Sequence, residues 1–378
     1  YTLCYNHSFT VHRRIVLKLA IGRNELLAGV QSVIGAVGSR KSIEVLTFIH
    51  ARGDGETIFL TATDLETTLV CRLAHSHEPF ETLLPAKRLY DVLRAFQGGS
   101  VVGLEEKDGK TILKSGRSRF QLSLLDPKDF PDKLLVECDQ SLTLPQSTLL
   151  SMMNVADYAM AEKDVRYYLC GLMLEMSDHF TMVSTDGHRL AKVDEHITVP
   201  TTREEPLQVI IPKHAASELK KLLNEKDDCT LFFSKNHFRV EFPSSTFVTK
   251  LIDGRFPDYQ RVIPRSASSI TLNRQLLLDA ISRVKLVLDS KNSGVRLWFD
   301  ENRLTIVGTY GGEQAEEVLD ITSDVQVEIR LNPIYLIESL RVMQSETITF
   351  GFSDHTSSVV LEGIEKDDGQ QVIMPMRL

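Results

Sequence analysis

Residues 185–190 read TDGHRL, setting a carboxylate at Asp186, an imidazole at His188 and a guanidinium at Arg189 within four positions. An acid beside a histidine can orient the ring for proton transfer, but that chemistry needs a third group to act on. The chain offers none by motif: it has no GxSxG elbow, no HExxH and no CxxC, the patterns that would supply a nucleophile or a metal. GxGxxG and GxxxxGK[ST] are also missing, and the GxG at Gly53–Gly55 reads as a hairpin turn. Two readings of His188 stay open, a hydrogen-bonded turn residue or one wall of a binding cleft. The acidic runs at Glu105, Glu204 and Glu365 lack an embedding metal motif and read as solvated loops. No catalytic residue, metal or cofactor is expected.

The elements that must position this cluster recur along the chain. LAIGRNELLAGV from Leu19, LTLPQSTLLSMM from Leu142 and ITLNRQLLLDAI from Ile270 each run a short strand through a polar turn into an amphipathic helix. LLPAKRLYDVLRAF from Leu83, IIPKHAASELKKLL from Ile210 and IRLNPIYLIESLRVM from Ile329 repeat the strand-to-helix step with Pro or Asn at the junction. TDGHRL itself matches TATDLETTLV at Thr61 and VGTYGGEQAEEV at Val307, each a turn between strands. Stretches such as VVGLEEKDGKTILKSG and GVRLWFDENRLTIVG read as hairpins. The pattern predicts an α+β fold of three similar domains, each with two helices and antiparallel sheets, at residues 15–137, 138–264 and 265–378, behind an N-terminal extension at 1–14.

Bulk composition narrows the class. The chain has 378 residues, too many for one ordinary core, and 42% hydrophobic and 25% charged content is typical of globular domains. No apolar run is long enough for a membrane span, and the first residues lack a secretory pattern. Five scattered cysteines, Cys4, Cys71, Cys138, Cys170 and Cys229, point to a reducing cytoplasm. The net charge is −8, yet basic residues cluster on or beside the helices: Arg40, Lys41, Lys87, Arg88, Arg94, Lys163, Lys213, Lys220, Lys221, Arg274, Arg283 and Lys285. They are ordinary solvated helix faces, or, if the helices line an arc, a positive surface that contacts phosphates without reading bases.

Several stretches carry a family resemblance: DVRYYLCG at Asp164, TDGHRLA at Thr185, GRFPDYQRVIP at Gly254, GRSRFQLS at Gly116 and the terminal MPMRL at Met374. In these residues and in its threefold repeat the chain resembles the bacterial sliding clamps, the beta subunits of DNA polymerase III. The resemblance implies a non-catalytic homodimer, head to tail, closing a ring around duplex DNA of any sequence. Its partners would be the replicative polymerase catalytic subunit, an ATP-dependent clamp loader, and other polymerases and repair proteins that dock by short peptides, in a nucleoid-associated cytoplasmic setting.

Carried over residue by residue, the partner-peptide cleft comprises Leu169, Thr185, Gly187, His188, Arg189, Leu190, Pro257, Arg261 and Val262. From the third domain come Asn332, Tyr335, Ser358, Val372, Met374, Pro375, Met376 and Arg377. DNA contacts fall to Arg40, Lys87, Arg88, Arg94, Lys163 and Lys213, and the dimer interface to Phe120 and Leu122 facing Leu286 and Val287. The chain departs from the pattern at RKSIEVL, where prolines often follow the arginine, and at Asn292, aromatic in the best-known relatives. A nucleic-acid enzyme is the competing class and lacks a carboxylate or histidine site; a non-encircling scaffold of replication or repair is the other, and the basic helix faces favour the clamp over it.

Overall fold

The computed structural model describes residues 17–38, 43–131, 140–197, 206–289, 294–365 and 368–376. The N-terminal extension, Arg40, Asn292 and Arg377 therefore lie outside the described residues. Six α-helices occur among the described residues: α1 (Arg23–Val33), α2 (Ala86–Ala95), α3 (Gln146–Ala156), α4 (Lys213–Leu222), α5 (Arg274–Val284) and α6 (Pro333–Val342). They fall in three pairs, at the places the repeats predict.

The chain divides into two units, residues 1–137 with 239–249, and 138–238 with 250–378. In the first, strands Lys18–Gly22, Val101–Lys107, Lys110–Ser115 and Ser118–Ser123 form a four-stranded antiparallel sheet in that order. Asp108 and Gly109, both at positive φ (53° and 69°), make the tight turn read from the sequence. A second sheet orders Phe80–Pro85, Phe48–Gly53, Thr57–Thr63 and Thr67–Ala74, and the last of these pairs with Ser245–Lys250 in antiparallel register, Cys71 opposite Ser245. Residues 239–249 fall in this unit, with Ser245–Lys250 beside Thr67–Ala74 in a sheet of eight strands in all. Sequence period shows that a strand exists, not which neighbour it pairs with.

In the second unit one antiparallel sheet has eight strands: Leu207–Pro212, Gly171–Met176, Phe180–Thr185, Arg189–Glu195, Gln370–Ile373, Val359–Gly363, Thr347–Phe352 and Ser268–Asn273. The middle and last repeats join where Leu190 pairs with Val372. Gly171–Met176 and Phe180–Thr185 are buried at every position, the polar Glu175, Thr181, Ser184 and Thr185 included, so both of their faces are covered. A four-stranded sheet orders Glu313–Asp320, Arg303–Tyr310, Val295–Asp300 and Val327–Leu331. Its core packs Phe299, Phe350 and Phe352 under α5 and α6, with Leu277, Ile281, Leu336 and Leu340 fully buried. Burying one such leucine contributes about 2 kcal/mol.

The repeats also share a joint. The first residue of α1, Arg23, donates to Leu93 O (2.7 Å) and Arg94 O (2.9 Å) at the end of α2. Arg274, first in α5, donates to Ser345 O (2.8 Å) and Leu340 O (3.1 Å) at the end of α6. In the middle repeat Gln146 takes the position, donating to Asp228 O (3.1 Å) and accepting from Asn224 N (3.0 Å) just past α4. Each arginine satisfies carbonyls that a helix leaves open and sets a cation at its negative end.

Candidate functional site: an apolar cleft at the sheet junction

TDGHRL is the turn between Phe180–Thr185 and Arg189–Glu195. Asp186 Oδ1 accepts the backbone N–H of His188 (2.9 Å) and of Arg189 (3.1 Å), while Oδ2 pairs with Arg189 Nε at 3.1 Å. The carboxylate is thereby spent on the turn and on Arg189, and it does not orient the His188 ring. Thr185 Oγ1 donates to Arg189 O (2.6 Å) and accepts from Gly187 N (3.0 Å), closing the loop. Gly187 sits at φ +88°, where a Cβ would also stand 2.7 Å from Arg166 Nη1.

Arg189 is the pivot of the junction. Its side chain, 10% exposed, ion-pairs with Glu338 of α6, donates to Tyr158 O (3.0 Å), and lies 5.0 Å over the Tyr158 ring and 4.6 Å over the Tyr335 ring. Burial alone would lower its pKa, but the Glu338 and Asp186 carboxylates outweigh that and raise it. Arg189 is among the residues that line the cleft, and its guanidinium also ties Tyr158 and α6 to the turn. Below it, Tyr158 Oη contacts Ser339 Oγ and donates to Gln371 Oε1, both at 2.8 Å, and burial pushes its pKa up. His188 is exposed and its ring stacks beside Tyr335, 6.4 Å between centroids at 16°.

Around this frame opens a cleft with about 230 Å³ of free volume, lined by Arg166, Tyr168, Leu169, Thr185, Gly187, Arg189, Leu190, Pro257, Tyr259, Val262, Val372 and Met374. Leu169, Leu190 and Val372 are at most 2% exposed and form a floor continuous with a core of Met173, Val183, Ile210 and Phe256. Val262 and Met374, 41% and 43% exposed, stand at the mouth. A rigid apolar floor under adaptable side chains suits a few anchoring residues of an extended peptide. Met374 N donates to His188 O (2.9 Å) and Met376 N to Arg330 O (2.8 Å), which seats the C-terminal segment at the cleft.

Arg166, Tyr168 and Tyr259 were not singled out from the sequence, although they lie inside DVRYYLCG and GRFPDYQRVIP. Arg166 holds the Asp164 carboxylate through Nε (3.0 Å) and Nη2 (2.8 Å) and donates to Asp186 O (3.0 Å). That guanidinium, with the Arg166 backbone N–H, draws the Asp164 pKa down to about 2. Tyr259 donates to the buried Glu175 (2.9 Å), and burial, with that carboxylate, raises its pKa. Among the other expected residues, Arg261 is 85% exposed and pairs with Asp258 (2.8 Å). Asn332 caps α6 through Ile334 N (2.9 Å). Ser358, Pro375 and Met376 are half-buried and outside the lining of the cleft.

The other expected surfaces divide by burial. Leu286 is 84% exposed and Phe120 39%, whereas Leu122 is 5% exposed and packs into its own unit. Lys87, Arg88 and Arg94 are exposed on α2, and Lys163 on a loop at φ +56°. Lys213 is half-buried, with Nζ 3.3 Å from Met160 O. Arg274 is spent on α6, Arg283 on Glu317 (2.6 Å), Lys220 on Asp157 (2.6 Å) and Lys221 on Glu218 (2.6 Å). Among the described residues no helix is long and apolar enough to cross a membrane.

Family models for the DNA polymerase III beta subunit match most of the chain: the N-terminal domain at residues 17–135, the central domain at 143–258 and the C-terminal domain at 260–377. The beta sliding clamp of Escherichia coli strain K12 is 34% identical over 370 residues, covering 96% of this chain and 100% of that protein. That of Pseudomonas putida is 37% identical over 372 residues, covering 96% and 100%. Among solved structures, the Pseudomonas aeruginosa subunit superposes with a TM-score of 0.90 at 34% identity, over 96% of this chain and 100% of that one. The same organism's clamp bound to griselimycin gives 0.91 at 34% identity, over 96% and 99%. The threefold repeat, the cleft at its sheet junction and these matches agree, and the chain belongs to the DNA polymerase III beta subunit family, the sliding clamps that act as non-catalytic processivity factors in DNA replication.

Proposed function

We propose that the cleft at the 189–195 and 370–373 strand junction is where this clamp captures extended peptide segments of its polymerase, its loader and repair proteins. The observation that carries this is the apolar floor of Leu169, Leu190 and Val372 under exposed Val262 and Met374. Griselimycin binding by the Pseudomonas aeruginosa clamp is consistent with a ligand-binding surface of this kind. Two chains, the first domain of one against the third domain of the other, close a ring on duplex DNA in the cytoplasm at the nucleoid. An ATP-dependent loader opens it. Phe120 and Leu122 of one chain facing Leu286 and Val287 of the other form that contact. Lys87, Arg88, Arg94, Lys163 and Lys213 face phosphates, joined by Arg40. Domain limits at 15–137, 138–264 and 265–378 follow the repeats.

The test is removal of residues 374–378, MPMRL. Deleting Met374 and its neighbours takes away several anchors, so affinity for a polymerase-derived peptide falls by about 2 kcal/mol or more, roughly thirtyfold. Calorimetric titration of the intact and shortened chains reads this, with dimerisation checked in parallel. Equal affinities would remove the peptide from this cleft.

A further inference from the structure

At the far end of the hairpin from TDGHRL, two histidines face each other. The antiparallel register sets Phe180 opposite Glu195 and Thr181 opposite Asp194, and one step further His179 stands opposite His196. Their rings are nearly perpendicular, 85°, with centroids 4.5 Å apart, and the two Nδ1 atoms are 3.2 Å apart. Both side chains are exposed.

We propose that His179 and His196 form a two-imidazole site for a borderline divalent transition metal ion of the Zn²⁺ or Ni²⁺ class. Two nitrogens each about 2.0–2.1 Å from a tetrahedral zinc stand roughly 3.3 Å apart, and the Nδ1 atoms are already at 3.2 Å. With neutral rings, the Nδ1–H of one donates to the Nδ1 of the other. Binding moves that proton to Nε2 of the same ring, leaving both Nδ1 lone pairs for the metal and both Nε2–H groups toward solvent, with no net proton released. Asp178, Asp194 and Glu195 are sequence neighbours of the pair and favour a cation there; Lys192 is held by Asp194 and offsets part of that charge. No third His, Cys, Asp or Glu completes a cluster among the described residues, so water fills the other positions. Imidazole ligands select zinc, nickel or copper over magnesium and calcium, which take oxygen donors.

The site would staple the open end of the hairpin whose turn frames the cleft, six residues and so roughly 20 Å from Thr185. It therefore leaves peptide docking undisturbed and does not depend on the peptide reading of that cleft. The experiment is titration of the full chain with Zn²⁺, and separately with Ni²⁺, followed by calorimetry and by the shift in Tm, using His179→Ala, His196→Ala and the exposed His355→Ala as a control. Expected is at least a tenfold loss of affinity and loss of the Tm rise in either pair variant, unchanged behaviour in His355→Ala, and no response to Mg²⁺. Zinc and nickel binding that is unaltered in both pair variants, or no binding to the unmodified chain at millimolar metal, would overturn the proposal.

Discussion

Asp186 and Arg189 carry most of the local order at the cleft, and each does so through contacts that the sequence displays only in part. The D-G-H-R spacing announces a turn, and the structure has one, with Asp186 accepting two backbone N–H groups. What spacing could not reveal is that Arg189 turns inward to Glu338, a residue 149 positions away in the chain. A guanidinium beside a turn looks the same in sequence whether it serves a ligand or a helix. Replacing Arg189 by Met leaves Glu338 and Tyr158 O without that donor, and the expected cost is about 2 kcal/mol in chemical denaturation, moderated because Glu338 is 40% exposed. Gly187→Ala strains a backbone at φ +88° and crowds Arg166; a cost of about 1–2 kcal/mol and weaker peptide binding are expected. Asp164 supplies a pH test. Its pKa is depressed from 3.8 to about 2 by Arg166, so the stability it contributes is present above about pH 4 and fades as pH falls toward 2. Urea midpoints of the unmodified chain and Asp164→Asn should differ at pH 6 and converge near pH 2; a constant difference would show that Asp164 acts by packing instead.

Helices and hairpins were the most legible elements, because apolar period and turn chemistry are local. Each repeated strand-to-helix step has its helix, and the D-G turn at Asp108–Gly109 takes positive φ. Long-range pairing was not legible: nothing in residues 245–250 marks them as partners of Thr67–Ala74, and nothing in Arg274 separates a helix-end clamp from a surface cation. Charge counted along a helix overstates the available positive surface wherever side chains fold back on carbonyls or carboxylates. The shared joint makes this testable at the scale of the element. Arg274→Ala frees the carbonyls of Leu340 and Ser345 and removes a cation from the end of α6, at an expected cost of about 1–2 kcal/mol. Arg23→Ala should cost a similar amount in the first repeat, whereas Lys87→Ala, exposed on α2, should be nearly neutral in the same denaturation assay. Equal effects at all three positions would argue against the joint.

At the scale of the whole molecule the proposal is a ring, and its two requirements separate cleanly by mutation. Closure rests on apolar contact: Leu286, 84% exposed in the single chain, has little to pack on within it. Burying such a side chain contributes about 2 kcal/mol at each of two symmetric contacts. Leu286→Asp with Val287→Asp should therefore shift sedimentation toward the monomer, and a dimer persisting at micromolar concentration would relocate the interface. Retention on DNA rests on charge and topology together. Lys87, Arg88 and Arg94 are exposed on α2, and each phosphate contact contributes about 0.9 to the slope of log affinity against log salt. Changing all three to Gln should lower that slope by up to about 2.7, equally on duplexes of unrelated sequence, while the ring still stays on circular DNA and slips from linear DNA. The comparison is made on variants shown to remain dimeric, since a monomer would lose DNA for the other reason. An unchanged salt slope with intact dimers would place the phosphate contacts on other residues, and a preference for one duplex sequence would contradict sliding itself.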